Sequence, residues 1–161
     1  KEGNTRILTL DPVEIEFADL TVKLQTREYF EEGSSKIKIE RTILDMSNPD
    51  AEVELNEYMV ACYGTTEYPE DMTGITLKCE GKDEKEISYE YKCREASLDG
   101  ADAVSAVIPA IETKVSLTAS AKAEGYIKEG YAFSPMFTLG YKKTISNKEV
   151  FATWLNLEKA N

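Results

Sequence analysis

The sequence predicts an all-β fold, an antiparallel β-sandwich built from about ten short strands with one long loop. Three observations support this prediction. Apolar and polar residues alternate along most of the chain, which is typical of strands that bury one face. Turn residues interrupt the alternation every ~8 to 12 residues, and no long segment has the apolar period of an amphipathic helix. With 161 residues, the chain is long enough for one domain, residues 1–161, with an extra N-terminal hairpin.

Five alternating runs make up the first part of the chain. They are residues 7–9, 13–17, 20–27, 36–43 and 53–61. Asp11-Pro12 separates the first two runs, so we expect two short strands that meet at a turn there. The segment Ser47-Asn48-Pro49-Asp50 separates the last two, because Asn and Asp favour turns and Pro lacks an N–H. In these last two runs, Arg41 and Glu57 fall on the same face as the apolar residues.

The second part of the chain contains five further runs. They are residues 75–79, 87–93, 115–121, 133–141 and 150–154. The charged turn of residues 81–85 separates the first two, which we expect to pair as a hairpin. The Ala-rich stretch from Ser97 to Ala110 allows a helix by propensity. Gly100 and Pro109 bracket it, and its β-branched residues favour extension, so we favour a strand over a helix.

A long loop is predicted at residues 63–74, which lack periodicity and contain Pro69 and two glycines. Loops held on a rigid β framework often carry binding residues, and Tyr supplies a large contact area at low entropy cost. This loop is therefore the candidate contact surface. Its candidate residues are Tyr63, Glu67, Tyr68, Asp71 and Met72. The alternative is that the two tyrosines only cap the end of the sandwich.

The chain is strongly acidic, with a formal net charge of −11. Binding to a nucleic-acid backbone depends on Lys and Arg neutralising phosphates, so this charge argues against a nucleic-acid partner. We interpret the acidic side chains as a solvated surface that favours solubility. No run approaches the ~18 apolar residues that a membrane-spanning helix needs. We therefore expect a soluble chain without a membrane span, whose leader, if it is exported, has been removed.

The three cysteines, Cys62, Cys79 and Cys93, are an odd number, and the chain contains no His. A zinc site is nearly excluded, which leaves one disulfide with a free thiol, or three thiols. In the expected hairpin, Cys79 lies beside the turn and Cys93 lies roughly 20 Å away, whereas a disulfide needs Cα atoms within about 7 Å. We therefore predict a Cys62–Cys93 bridge, which would favour an oxidising compartment.

Catalytic motifs are missing from the sequence. Without His, a Ser-His-Asp or Cys-His arrangement is excluded, and no nucleotide-binding fingerprint occurs. A pair of carboxylates cannot be chosen among 30 acidic residues, so we expect a protein that is not an enzyme. We expect no cofactor other than calcium, for which Asp99 and Asp102 are the candidate ligands. An ordinary Asp-Gly turn is the simpler interpretation of these residues.

Trp154, near the carboxyl terminus, has two interpretations. If it is exposed beside Tyr141 or Tyr126, its ring could stack on a sugar, as in carbohydrate-binding modules. A buried core tryptophan in the last strand is the simpler interpretation.

Two stretches resemble immunoglobulin-like domains of bacterial surface lipoproteins. From Lys38 to Leu55, a strand runs into an Asn/Asp/Pro turn and returns as a strand, and the stretch from Ile108 to Ala119 is similar to the late strands of those domains. The resemblance implies an immunoglobulin-like sandwich that is secreted, periplasmic or on the cell surface, with a lipid anchor upstream if a leader was trimmed. This chain departs from the family by lacking an amino-terminal Cys for lipidation.

From the predicted fold and this resemblance, we expect a non-catalytic binding, adhesion or scaffold module that contacts a protein or glycan partner through its end loops. The alternative is a carbohydrate-binding module, or a small glycan-active protein, that uses exposed aromatic residues. A purely structural domain of a larger surface assembly is a third interpretation.

Overall fold

The computed structural model describes residues 3–62, 76–80, 85–88, 97–101, 103–108, 111–120, 124–129 and 136–160. Thirteen strands, and no α-helix, occur among these residues. They are β1 (Thr5–Thr9), β2 (Val13–Phe17), β3 (Leu20–Glu31), β4 (Lys36–Met46), β5 (Glu52–Cys62), β6 (Thr76–Glu80), β7 (Lys85–Ser88), β8 (Ser97–Ala101), β9 (Ala103–Ile108), β10 (Thr113–Ala119), β11 (Glu124–Glu129), β12 (Met136–Ser146) and β13 (Val150–Lys159). The predicted all-β fold is confirmed, and the Ala-rich stretch forms strands, as we expected.

The strands form two antiparallel sheets. The larger has nine strands in the order β1-β3-β4-β13-β10-β9-β6-β7, with β2 also paired to β3. The smaller has four strands in the order β5-β12-β11-β8. The predicted antiparallel sandwich is thus confirmed, although these sheets exceed the seven to nine strands of an immunoglobulin domain.

The N-terminal edge of the large sheet differs from the expected hairpin. Both β1 and β2 pair with β3, one after the other along the same edge. Between them, the Leu10 N–H donates to the Thr26 carbonyl at 3.0 Å, so the chain continues past Asp11-Pro12 without reversing. Proline is tolerated at such an edge because its missing N–H is not needed there. The reversal comes later, between β2 and β3, where Ala18 has a φ of 41°.

The core lies between the two sheets. Val22 and Ile43 of the large sheet and Ile145 of the small one are at most 1% exposed and belong to one apolar cluster. Full burial of one such side chain stabilises the fold by about 1.5–3 kcal/mol. Tyr141 of β12 also bridges the sheets, because its hydroxyl donates to the Leu117 carbonyl of β10 at 2.6 Å. These contacts fix the inner face of the large sheet and leave its other face outward.

Candidate functional site

The outer face of the nine-stranded sheet carries aromatic and charged side chains. Successive residues of a strand point to opposite faces. On β4, Ile43 points into the core, so Lys38 and Glu40, which are out of phase with it, point outward. On β13, Phe151 belongs to the core and Trp154 points outward.

Strand register places three of these outward residues side by side. Tyr29 of β3 lies opposite Lys38 of β4, and Lys38 lies opposite Trp154 of β13. Adjacent strands are about 4.8 Å apart, so side chains at paired positions touch. The Lys38 ammonium lies 4.7 Å from the centre of the Tyr29 ring, a cation–π contact. Two aromatic side chains therefore flank one lysine on an open sheet face.

Glu40 lies next to these three residues and accepts hydrogen bonds from two of them, Tyr29 and Lys38. Its Oε1 accepts a hydrogen bond from the Tyr29 hydroxyl at 2.9 Å, and its Oε2 accepts one from the Lys38 ammonium at 2.6 Å. The hydrogen bond from Lys38 is the main reason that the pKa of Glu40 is lowered below its ordinary value, against the opposing effect of partial burial. Glu40 is thus an ionised acceptor at neutral pH.

A depression of about 280 Å³ opens on this face, near the lower end of the size of small-molecule sites. Its lining combines aromatic rings, charges and hydroxyls. The lining residues are Thr5, Tyr29, Glu31, Ser34, Lys36, Lys38 and Trp154. Such a surface suits a ligand that has one apolar face and several hydrogen-bonding groups at its edge.

A second polar cluster lies between the sheets. Arg41 of β4 forms an ion pair with Glu57 of β5 at 2.9 Å, and Thr153 of β13 donates to the same carboxylate at 3.1 Å. Each member of the ion pair is 17% exposed, and one nitrogen of Arg41 and one oxygen of Glu57 have no partner. Burial raises the pKa of Glu57 despite the opposing effect of Arg41. This ion pair joins a strand of the large sheet to a strand of the small one.

The structure places Trp154 on the outer face, partly exposed, and not in the core. Its aromatic neighbour is Tyr29, whereas Tyr141 is 2% exposed in the core and Tyr126 lies on the small sheet. Sequence reasoning missed Tyr29, Lys38 and Glu40 as site residues. Their alternation showed which residues of a strand share a face, but only the register between β3, β4 and β13 brings them together.

Several residues singled out in the sequence lie outside the described residues. These are Tyr63, Glu67, Tyr68, Asp71 and Met72 of the predicted loop, Asp102 and Cys93. Asp99 lies within strand β8, opposite Tyr126, and so does not occupy a turn. Cys62 ends β5 of the small sheet, and Cys79 pairs with Lys85 at the end of the β6–β7 hairpin. The calcium site and the Cys62–Cys93 bridge stay predictions.

The described residues contain neither a metal-binding cluster nor a membrane-spanning helix. No group of three or more acidic or cysteine residues there could hold a metal ion. The same part of the chain has no helix with the length and apolar character needed to cross a membrane.

Comparison with solved structures identifies proteins of similar fold. The Slr1438 protein from Synechocystis sp. PCC 6803 matches 99% of this chain with a TM-score of 0.61 at 12% identity. A proposed mutarotase, YeaD, from Salmonella typhimurium matches 97% with a TM-score of 0.58 at 10% identity. A proposed aldose 1-epimerase from Escherichia coli K12 matches 92% with a TM-score of 0.53 at 8% identity. The chain spans 63%, 61% and 69% of their respective lengths.

Sequence comparisons gave no further assignment. Neither the protein-family models nor the curated proteins include a match to this chain. The structural likeness is therefore one of fold, since identities of 8–12% show nothing finer.

These neighbours correct the main functional expectation. A non-catalytic adhesion or scaffold module that works through end loops was the wrong interpretation, because two neighbours are named for sugar chemistry. The extracytoplasmic location stays a prediction. The same names conflict with the expectation of a protein that is not an enzyme. Alternation and turn spacing are shared by many sandwich families, so they could not distinguish one family from another. The described aromatic and charged residues meet on the outer sheet face, beside the turn between β3 and β4.

Proposed function

We propose that the protein binds a saccharide on the outer face of the nine-stranded sheet, with Trp154 as the stacking surface. One observation carries this proposal: Trp154 and Tyr29 lie on either side of the Lys38–Glu40 ion pair, beside an open depression. This is the alternative function that the sequence suggested for Trp154.

Saccharide chemistry matches this surface. A sugar ring has apolar C–H faces, which pack on an aromatic ring, and hydroxyls around its edge. Glu40 uses one lone pair on each oxygen for Tyr29 and Lys38, and the remaining lone pairs are free to accept sugar hydroxyls. Lys38 donates one of its three N–H groups to Glu40, which leaves donors for sugar oxygens.

The fold supports a saccharide over other ligands that have an apolar face. Two of the structures with this fold carry names that refer to sugar isomerisation, a mutarotase and an aldose 1-epimerase. Their low identity and greater length mean that only the fold is shared, so their activity is not assigned to this chain. What they contribute is a precedent for sugar recognition on a sandwich of this shape.

Aldose 1-epimerisation is a second candidate function, which those names favour. Opening a sugar ring needs a base at the anomeric hydroxyl and an acid at the ring oxygen. The chain has no His, and the lowered pKa of Glu40 makes it a weak base. On the outer face, Glu40 and Lys38 are the pair that we propose as base and acid. Polarimetry with freshly dissolved aldoses tests this: mutarotation above the buffer rate that falls in Glu40→Gln would establish catalysis.

The test of binding is a glycan array followed by calorimetry on the glycans that bind. Stacking on an aromatic ring contributes about 1 kcal/mol or more beyond area burial, so Trp154→Ala should weaken binding roughly tenfold. Trp154→Phe should retain part of the affinity because it keeps an aromatic ring.

Two control variants distinguish the loss of stacking on Trp154 from a general loss of structure. Val150→Ala lies on the same strand at an exposed position, and Phe30→Ala removes an exposed ring from the opposite face. Both should bind like the wild type. The absence of any bound glycan, or unchanged affinity in Trp154→Ala, would contradict the proposal.

A further inference from the structure

Lys36 differs from its neighbours in the depression. Several other lysines of the described chain form ion pairs with carboxylates. Among them are Lys23, Lys38, Lys143, Lys148 and Lys159. Lys36 lines the depression and has no ion pair within the part of the chain that the structure describes. In a chain with a net charge of −11, this leaves an ammonium without an ion-pair partner in the depression that Trp154 also lines.

Ser34 provides a second donor beside this ammonium. Its Oγ accepts a hydrogen bond from the Lys36 backbone N–H at 3.0 Å, so its own hydroxyl proton remains free to donate outward. The turn between β3 and β4 positions both residues: the Ser34 N–H donates to the Glu31 carbonyl at 3.1 Å, and Gly33 adopts a φ of 80°. Gly permits this backbone conformation at no steric cost.

Resting on the proposed function, we propose that the bound saccharide contains a uronic acid, whose carboxylate is recognised by Lys36 and Ser34 while a sugar ring stacks on Trp154. A carboxylate has two acceptor oxygens, and these two residues offer two donors from one turn. Lys38 cannot serve equally well, because Glu40 already neutralises its charge at 2.6 Å.

The charge balance argues against a dianionic ligand. The free charges that face the depression are Lys36 and Glu31, since Lys38 and Glu40 neutralise each other. A phosphate carries about −1.5 to −2 charges at neutral pH, which one lysine beside a glutamate does not match. Glu31 also opposes an incoming anion, so its removal should strengthen binding of a carboxylate.

The experiment compares matched ligands and matched variants. A glycan array with uronate-containing, neutral, sulfated and phosphorylated members identifies the bound glycan. Calorimetry then compares that glycan with the same molecule after reduction of its carboxyl group to an alcohol. The wild type should bind the uronate about fivefold more tightly, as expected for an exposed charge pair, and less so in high salt. Lys36→Gln should abolish this preference, and Glu31→Gln should increase it. Lys23→Gln, an exposed lysine outside the depression, should change nothing.

The possible failures are distinguishable. Equal binding of the uronate and its reduced form, tighter binding of a sulfated or phosphorylated glycan, or an unchanged preference in Lys36→Gln would overturn this inference. If binding in those cases is still lost in Trp154→Ala, the proposed function stands. If no glycan binds at all, both proposals fail.

Discussion

Two glutamates of this protein have the same kinds of partner and yet differ in the direction of their pKa shift. Glu40, on the outer face, is bonded to Lys38 and the Tyr29 hydroxyl, and its pKa is lowered. Glu57, between the sheets, is bonded to Arg41 and the Thr153 hydroxyl, and its pKa is raised. The depth of the site makes the difference, because the protein packed around Glu57 between the sheets penalises its charged form more than its partners stabilise it. The outer cluster lies on an open sheet face, whereas the inner one links strands of the two sheets.

Removing Arg41 should give the largest loss of stability, because Arg41 belongs to the cluster between the sheets and not to the proposed binding site. Arg41→Ala leaves Glu57 without its cation between the sheets, and loss of one member of a buried pair costs about 3 kcal/mol. Urea unfolding should show this loss of stability, whereas Lys148→Ala, which breaks an exposed pair with Asp45, should cost less than about 1 kcal/mol. Equal costs would contradict the distinction between the two environments.

The double variant Arg41→Met with Glu57→Leu sharpens this test. It removes both charges and leaves apolar side chains of similar length, so it should cost much less than Arg41→Ala alone. A double variant as unstable as the single one would show that packing, and not an uncompensated charge, is the cause.

The pH dependence of stability should have opposite signs for the two glutamates. The raised pKa of Glu57 means that the folded state holds its proton more tightly than the unfolded state, whose ordinary value is 4.5. Its contribution therefore falls as the pH rises from that value through the folded pKa. The lowered pKa of Glu40 gives the reverse: its contribution is present above the ordinary value and is lost as the pH falls through the folded pKa.

Unfolding free energies measured across this acidic range in Glu57→Gln and Glu40→Gln would separate the two contributions. Each variant should lose only its own part of the pH dependence. If both variants change the slope of unfolding free energy against pH in the same way, the two carboxylates share one environment.

The sequence predicted the strands better than the site. Alternation placed Arg41 and Glu57 on the inward faces of their strands, and the structure confirms those positions. It could not show that the two form a pair, because β4 and β5 belong to different sheets. The sequence also could not predict which face of the sheet carries Trp154. Phe151 and Thr153 alternate with Ala152 and Trp154, and either set has enough apolar character to face the core.

Tyr29→Phe should have the smallest effect on stability. It removes one hydrogen bond to Glu40 while it keeps the ring, so the fold should lose about 1 kcal/mol or less. Saccharide binding should weaken by a few-fold, because Glu40 loses one of the two donors that orient it. Calorimetry and urea unfolding of the same sample would separate these effects, and a large loss of stability without a loss of affinity would contradict the assignment of Tyr29 to the site.

Fluorescence offers the most direct measurement, because Trp154 is the only tryptophan in the chain. A glycan that binds by calorimetry is titrated into the protein while the tryptophan emission is recorded. If the sugar stacks on Trp154, the emission should shift or change in intensity with the same dissociation constant that calorimetry gives. Calorimetric saturation with unchanged emission would place the saccharide elsewhere and contradict the outer-face site.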